Sequence, residues 1–403
     1  MITVPKAAEL IDSVTLKVSV KEVPISQAVG MVLRESLRSD RDLPPFDRVM
    51  MDGIAIRFEQ WKKGQRSFPV EGLQKAGASK QSLKDNQHCL EVMTGSILPG
   101  NTDTVIRYED IKIEQQNGEE VAVIRKGPKE KRQNIHAKGT NRAKGDLVVE
   151  EGTVLSPAEI GVAATFGKSM LKVSDPPRVA VISTGNELVE IDQQPLPHQI
   201  RRSNAYTLAA ALKETGVEAD LFHLNDDRDE ISEKLDHILD QYNLLIMSGG
   251  VSKGKLDYIP ELLEKKGIEK LFHKVRQRPG KPFWFGRSEQ AVVFALPGNP
   301  VSSFSCYYRY VEPWVKKQLG MREVQRPFAR LTEEFSFSKD LTYFLQVRIH
   351  MSEDGTMEAT PVKGKGSSDL ANLCRGDGLL ELPEERDDFG VEESYPLYLY
   401  RGF

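Results

Sequence analysis

Between Arg178 and Gly320, short β-branched and apolar runs alternate with segments of helical period, a pattern that few architectures accommodate. RVAVISTG (178–185), VEADLFHL (217–224), NLLIMSGG (243–250) and QAVVFALPG (290–298) read as buried strands. The segment after the first places Ser203 as a cap, Leu208 and Leu212 on one helical face, and Gly216 as a stop. The segment after the second follows Asp226 and Asp227 and carries the stripe Ile231, Leu235, Ile238 and Leu239, which must bury one face. DYIPELLEKKG, closed by Gly267, and a helix starting after Pro300 complete the alternation. A doubly wound parallel α/β sheet is the expected outcome.

Residues outside this module read as β-rich. IAIR, CLEVMTG, DTVIRYED and the pair IKIEQQ and VAVIRKG around Asn117-Gly118, a strong hairpin turn, lie within 54–126. Helix-like pieces flank them: PKAAELIDSV and ISQAVGMVLRESL on one side, SPAEIGVAATFG on the other. The β domain therefore reads as inserted into a helical one. After Arg326, YFLQVRIHM and TMEATPVKG are joined by Glu353-Asp354-Gly355. The expected fold class is multidomain α/β plus β. Residues 1–44 and 146–176 form an elongated helical and mixed domain, 45–145 the inserted β domain, 177–324 the α/β domain and 325–403 a C-terminal β domain.

Bulk properties narrow the function. No apolar run approaches the roughly 20 residues that a membrane helix needs, and the N-terminus lacks the pattern of an export signal, so a cytoplasmic protein is expected. A net charge of −4 and a pI near 6.1 remove the overall basic footprint of a dedicated nucleic-acid binder. The basic stretch from Arg125 to Lys144 has no interleaved aromatics, so it reads as a solvated face or as a patch steering an anionic ligand. Cys89, Cys306 and Cys374 stand too far apart for a zinc or redox motif and are expected to be buried thiols.

Ligands of an open α/β sheet bind at the carboxyl ends of its strands. There this chain places Ser183-Thr184-Gly185-Asn186-Glu187, Asn225-Asp226-Asp227, Ser248-Gly249-Gly250 and Leu296-Pro297-Gly298-Asn299-Pro300. Gly249 and Gly250 suit a phosphate cradle, since backbone N–H groups without Cβ neighbours approach an anion closely; a plain tight turn is the alternative. Glu187, Asp226 and Asp257 would share one rim and need a cation, for which oxygen ligands favour Mg²⁺; for Asp226 and Asp257 helix capping is the alternative. Lys274, Arg278 and Lys281, around the Pro279-Gly280 turn, read as an anion pocket or as a solvated edge. In the β region, PPFDRVMMDG presents Asp52 on a rigid loop, and Met93-Thr94-Gly95 sets a hydroxyl beside a flexible residue.

In order, PPFDRVMMDG, VMTGSILPG, GTNRAKGD, VISTGNEL, SNAYTLAAAL, SGGVSKGKLDY, RPGKP and LPGNPVSS resemble the motif series of the molybdopterin molybdenumtransferase family, which includes MoeA and the gephyrin E domain. The resemblance implies hydrolysis of adenylylated molybdopterin, insertion of molybdate at the dithiolene and release of AMP, assisted by Mg²⁺. It also implies a homodimer whose cleft joins the α/β domain of one subunit to the inserted β domain of the other, and an adenylyltransferase partner delivering substrate. Carried over by motif, Asp52, Glu187, Asp226 and Asp257 are the catalytic candidates, the last three also as metal ligands. Thr94, Ser248, Gly249, Gly250, Lys274, Arg278, Pro297, Pro300 and Ser367 are the substrate-binding candidates. Asn141 stands where the family usually has a carboxylate; it keeps an acceptor oxygen but loses the charge. Two competing readings are a non-catalytic binding or scaffold paralogue and a nucleotide pyrophosphatase built on the same α/β module.

Overall fold

The computed structural model describes residues 1–251, 258–391 and 393–402. It divides into two compact units, one of Met1–Glu35, Glu151–Pro157 and Met170–Phe403, the other of Ser36–Glu150 and Ala158–Ser169.

The first unit is built on a six-stranded sheet: β1 (Val179–Thr184), β2 (Ala219–Leu224), β3 (Leu244–Ser248), β4 (Glu269–His273), β5 (Trp284–Arg287) and β6 (Val292–Leu296), in the order β2-β1-β3-β6-β5-β4. Its strands read as unbroken apolar runs because both faces are covered. Val179, Val181, Leu244, Ile246 and Phe294 pack into one core, and Ala180, Ile182, Leu245, Met247 and Val293 into another. Each fully buried Val, Leu, Ile, Met or Phe side chain among them contributes about 1.5–3 kcal/mol.

β2, β1, β3 and β6 are parallel, as expected. The remaining edge is not: β5 runs antiparallel to both β6 and β4. The connection 274–283 between β4 and β5 is too short for a helical crossover, so the chain reverses instead.

Helices α1 (Ser203–Glu214), α2 (Arg228–Gln241), α3 (Ile259–Lys265) and α4 (Pro300–Cys306) follow β1, β2, β3 and β6. Asp227 caps α2, its side chain accepting the Glu230 N–H at 2.9 Å. Ser203 is the first residue of α1 rather than its cap, and Arg202 occupies the cap position without a side-chain capping bond, its guanidinium pairing instead with Glu190 at 2.8 Å. α4 continues through a π-helical turn, Tyr307–Val311, into the helix Glu312–Gln318.

The N-terminal helix Val4–Asp12 forms as expected, and Ser19–Pro24 pairs antiparallel with Met170–Asp175. The helix expected across 25–37 reduces to one 3₁₀ turn, Ile25–Gln27. Gly30, at φ +82°, turns the chain, and Val32 and Leu33 then bridge to Val154 and Val173.

In the C-terminal part, Phe328–Leu331, Thr342–Met351, Met357–Pro361, Gly378–Leu382 and Ser394–Leu399 close into a ring, because Thr342–Met351 pairs with both Met357–Pro361 and Gly378–Leu382. Closure removes the exposed edges that an open sheet would carry. The strand Gln277–Arg278 joins this sheet, parallel to Thr342–Tyr343.

The second unit is a six-stranded sheet in the order Thr104–Arg107, Gly53–Ile56, Cys89–Val92, Ser67–Gln74, Glu119–Ile124, Ile111–Gln116. The last two strands form the expected hairpin. Gln116 faces Glu119 across Asn117 (φ 54°) and Gly118 (φ 86°), a two-residue turn with both residues left-handed. Cys89 and Cys306 are buried, and burial pushes the Cys306 thiol up to about 12. Cys374 is exposed, contrary to expectation. Among the described residues, no helix is long and apolar enough to cross a membrane.

Candidate active site

From β1 the chain crosses to β2 on one side, while β3 lies on the other. The carboxyl ends of β1 and β3 therefore border the crevice where open α/β sheets bind ligands. Thr184, Gly249, Gly250 and Gly298 meet there. A Cβ on Gly249 would lie 2.8 Å from Thr184 Oγ1, and one on Gly250 would lie 3.0 Å from the same oxygen and 2.8 Å from Ile259 Cγ1. Both glycines have positive φ, +98° and +68°, so space and backbone conformation alike exclude a larger residue. Thr184 Oγ1 is buried without a hydrogen-bond partner among the described residues. An orphaned hydroxyl against two bare glycines is a place where a polar ligand gains a bond that the protein leaves open.

Ser248 is buried beneath this loop, and Asn204, near the start of α1, ties it down. Asn204 Nδ2 donates to Ser248 Oγ at 2.8 Å and to the Gly298 carbonyl at 2.7 Å. Pro297, Gly298, Asn299 and Pro300 carry the chain from β6 into α4. Asn299 Nδ2 donates to Ser367 Oγ at 3.0 Å, and the Val301 N–H donates to the Ser367 carbonyl at 3.1 Å. Ser367, from the C-terminal β part, thus sits at the N-terminus of α4.

On the other side of the crevice, Asp226 does not cap α2; it pairs with the β1 loop. Its carboxylate Oδ2 accepts the Asn186 N–H at 3.2 Å, and its own N–H donates to Asn186 Oδ1 at 2.9 Å. Glu187 is exposed, and its carboxylate folds over Gly185, where a Cβ would lie 2.3 Å from Oε2. Glu187 and Asp226 thus flank one loop as oxygen donors. Asp257 lies outside the described residues. Among the described residues no group of three His, Cys, Asp or Glu side chains is arranged to hold a metal.

Lys274 and Arg278 belong to the β4–β5 connection. Lys274 takes a left-handed backbone, φ 76°, with its N–H donating to the Phe283 carbonyl and its carbonyl accepting the Ile2 N–H. Arg278 is exposed, with its guanidinium 5.6 Å from the Phe337 ring centroid. The Pro279-Gly280 turn presses on α4: a Cβ on Gly280 would meet Cys306 Sγ at 2.6 Å. Buried Gln277 fixes the turn, its Nε2 donating to the Gly280 carbonyl and its Oε1 accepting the Tyr310 hydroxyl. The π-helical turn puts Tyr310 in the same helical assembly as α4.

In the second unit, Asp52 and Thr94 are in direct contact. Asp52 Oδ1 accepts both the Thr94 N–H, at 2.6 Å, and the Thr94 hydroxyl, at 2.7 Å. These two bonds hold the Asp52 carboxyl below the usual aspartate range. Gly53 is obligatory beside it, since a Cβ there would fall 2.0 Å from the Ile106 carbonyl oxygen. Asn141 is exposed; its N–H donates to the Leu43 carbonyl and its carbonyl accepts Arg142 Nη1. Asp42 lies against the preceding Gly139, paired with Lys138 at 3.3 Å.

Sequence reasoning missed Thr184, Asn204 and His273 as site residues. Thr184 and Asn204 lay within quoted motifs, but their significance depends on contacts that no spacing reveals. His273 closes β4, and its Nε2 lies 3.0 Å from the Val251 carbonyl, just past the glycine pair.

Comparison with known proteins identifies the family. The chain matches three family models in sequence order: the MoeA N-terminal region (domain I and II) over 2–167, the probable molybdopterin binding domain over 180–317 and the MoeA C-terminal region (domain IV) over 329–394. It is 38% identical to a molybdopterin molybdenumtransferase of Synechocystis over 99% of this chain and 100% of that protein. With a namesake of Staphylococcus aureus it shares 32% identity over 83% of this chain and 80% of that one. A solved molybdopterin biosynthesis MoeA protein of Pyrococcus horikoshii superposes with a TM-score of 0.85 at 30% identity, covering 100% of both chains. The chain belongs to the molybdopterin molybdenumtransferase family.

Proposed function

We propose that this chain carries out the molybdenum-insertion step of molybdenum cofactor synthesis, taking adenylylated molybdopterin and molybdate and releasing AMP. The carrying observation is the crevice between β1 and β3, where a buried Thr184 hydroxyl, without a hydrogen-bond partner among the described residues, faces two glycines that tolerate no side chain. An anionic pterin phosphate or pyrophosphate fits such a cradle.

In this reading Ser248, Gly249, Gly250 and Thr184 receive the substrate's phosphate end, with Pro297, Pro300 and Ser367 shaping the adjacent wall. Lys274 and Arg278 hold anionic groups, molybdate among them. Glu187 and Asp226, with Asp257, supply hard oxygen donors suited to Mg²⁺, which when bound neutralises phosphate charge and polarises the bond to be broken. Asp226 and Glu187 also orient the water that cleaves the phosphoanhydride, so AMP leaves with its phosphate and the pterin keeps its own. Asp52 and Thr94 complete the site from the partner subunit of a homodimer. The division at 1–44 with 146–176, 45–145, 177–324 and 325–403, the cytoplasmic location and delivery by an adenylyltransferase belong to the same proposal.

The test incubates purified protein with adenylylated molybdopterin, molybdate and Mg²⁺, alongside the Asn141→Asp variant. AMP release coupled to active cofactor formation by the native chain supports the proposal. Tight binding without AMP release, with turnover only after Asn141→Asp, overturns it in favour of a binding paralogue.

A further inference from the structure

The glycine loop after β3 leaves the sheet in an unusual direction. In the order β2-β1-β3-β6-β5-β4, two strands separate β3 from β4, yet Val251, three residues past the end of β3, reaches the side chain of His273 at the end of β4. The segment 249–251 therefore runs sideways across the carboxyl end of β6 and the amino end of β5, where Trp284 lies opposite both Ala295 and His273. Gly298, just past β6, lies beneath it: a Cβ there would be 3.5 Å from Gly249 Cα. The near end is pinned by the Gly249 N–H donating to the Leu296 carbonyl at 3.2 Å. Val251 is buried at the far end, packed among Ile259, Trp284 and Ala295. Gly249 and Gly250 themselves contribute no side chain to fix the loop.

We infer that His273 is a positioning residue, whose ring N–H to the Val251 carbonyl fixes the far end of the glycine loop and so holds the backbone of Gly249 and Gly250 in their cradle geometry for the substrate's anionic end. Val251 is buried, and leaving its carbonyl without a donor destabilises the seated loop and lets it lift. The ring's charge state suits this task. Burial, opposed by the hydrogen bond to the Val251 carbonyl and reinforced by Lys274 and Lys270, holds His273 below the ordinary histidine range, so at neutral pH it is an uncharged donor with its proton on Nε2. The role in catalysis rests on the reading of the glycine loop as the substrate cradle; the positioning itself does not.

Two measurements separate these layers. Hydrogen exchange of the peptide covering 244–251 is followed in the full chain, with and without AMP, for native protein, His273→Leu and His273→Gln. The Gln amide places a donor where Nε2 stands, whereas Leu fills the space without one. The inference expects faster exchange across 249–251 in His273→Leu, largely reversed in His273→Gln. In turnover, KM for adenylylated molybdopterin should rise roughly five- to tenfold in His273→Leu with a smaller change in kcat, and His273→Gln should recover most of it. Unchanged exchange in His273→Leu, or exchange equally fast in both variants, overturns the positioning role. Faster exchange with KM untouched overturns the cradle reading instead. Should His273→Leu fail to fold, exchange and KM in His273→Gln against His273→Asn, whose amide sits nearer the Nδ1 position, decide the same question: equal behaviour of the two overturns the inference.

Discussion

Asn186 and Asp226 bind one another twice, backbone N–H to side-chain oxygen in each direction, at 3.2 and 2.9 Å. They sit on loops following adjacent strands, and this reciprocal pair joins the two loops on one side of the crevice.

Asp226→Asn keeps an acceptor for the Asn186 N–H but removes the charge, whereas Asp226→Ala removes both. If Asp226 serves the cation, both variants lose at least tenfold in kcat/KM and need more Mg²⁺ for half-maximal rate. Only Asp226→Ala should also lose stability, by about 1 kcal/mol, the worth of one hydrogen bond. Mg²⁺ titrations of AMP release, with denaturant midpoints beside them, separate the two contributions.

Asp52 titrates below the usual aspartate value because two Thr94 donors hold its charged form. A carboxyl whose folded pKa is depressed stabilises the fold fully above its unfolded pKa of about 3.9, and that contribution disappears as pH falls through the folded value. Asp52→Asn should leave stability at pH 6 to 7 lower than native and flatten the loss on acidification below about pH 4. Urea midpoints from pH 6 to 2.5 check it; parallel curves for both proteins would contradict the argument. Turnover of Asp52→Ala tests its place in the site: an unaltered rate would remove Asp52 from it.

Arg309, from the π-helical turn, forms a buried ion pair with Glu381 of the C-terminal ring, Nε to Oε2 at 2.6 Å, and Tyr398 donates to the same carboxylate oxygen at 2.8 Å. Removing one partner strands the other charge in a buried setting. Arg309→Met should therefore lose about 3–5 kcal/mol, whereas the double variant Arg309→Met, Glu381→Leu should recover part of the loss. Chemical denaturation of the four proteins in a cycle gives the coupling directly.

Gly53→Ala should be among the most damaging single methyl additions in the chain. The new Cβ would lie 2.0 Å from the Ile106 carbonyl oxygen and 2.7 Å from Arg107 Cα, both backbone atoms in the neighbouring strand. Relief requires moving the strand pair itself, so a loss of more than about 3 kcal/mol is expected, measured as a denaturant midpoint.

The sequence made the α/β module legible because strands buried on both faces cannot hide their apolar runs, and Asn117-Gly118 announced its hairpin through backbone demands that few residues meet. ISQAVGMVLRESL misled because its apolar spacing fits a helix, while the turn at Gly30 and the bridges of Val32 and Leu33 to Val154 and Val173 depend on distant chain. Antiparallel β5 was foreshadowed only by the shortness of the 274–283 connection. At the site, motif order singled out residues by position, yet the partners that define their chemistry are remote in sequence. Asp226, a candidate ligand with capping as the alternative, pairs with Asn186 instead of capping α2, and Asp52 gains its low pKa from Thr94. Such pairings are products of tertiary structure and leave no local trace.

The strand Gln277–Arg278, which pairs with Thr342–Tyr343, has a consequence for the order in which the chain is made. A ribosome delivers the β4–β5 connection well before the strand that supports it, and Ser367, which meets Asn299 and Val301, arrives later still. The turn that carries Arg278 is thus left without this strand pairing in any product that stops short of the C-terminal ring. Completion of synthesis and completion of this corner of the fold become the same event, so a chain terminated before the ring lacks both the paired strand and the Ser367 contacts at the start of α4.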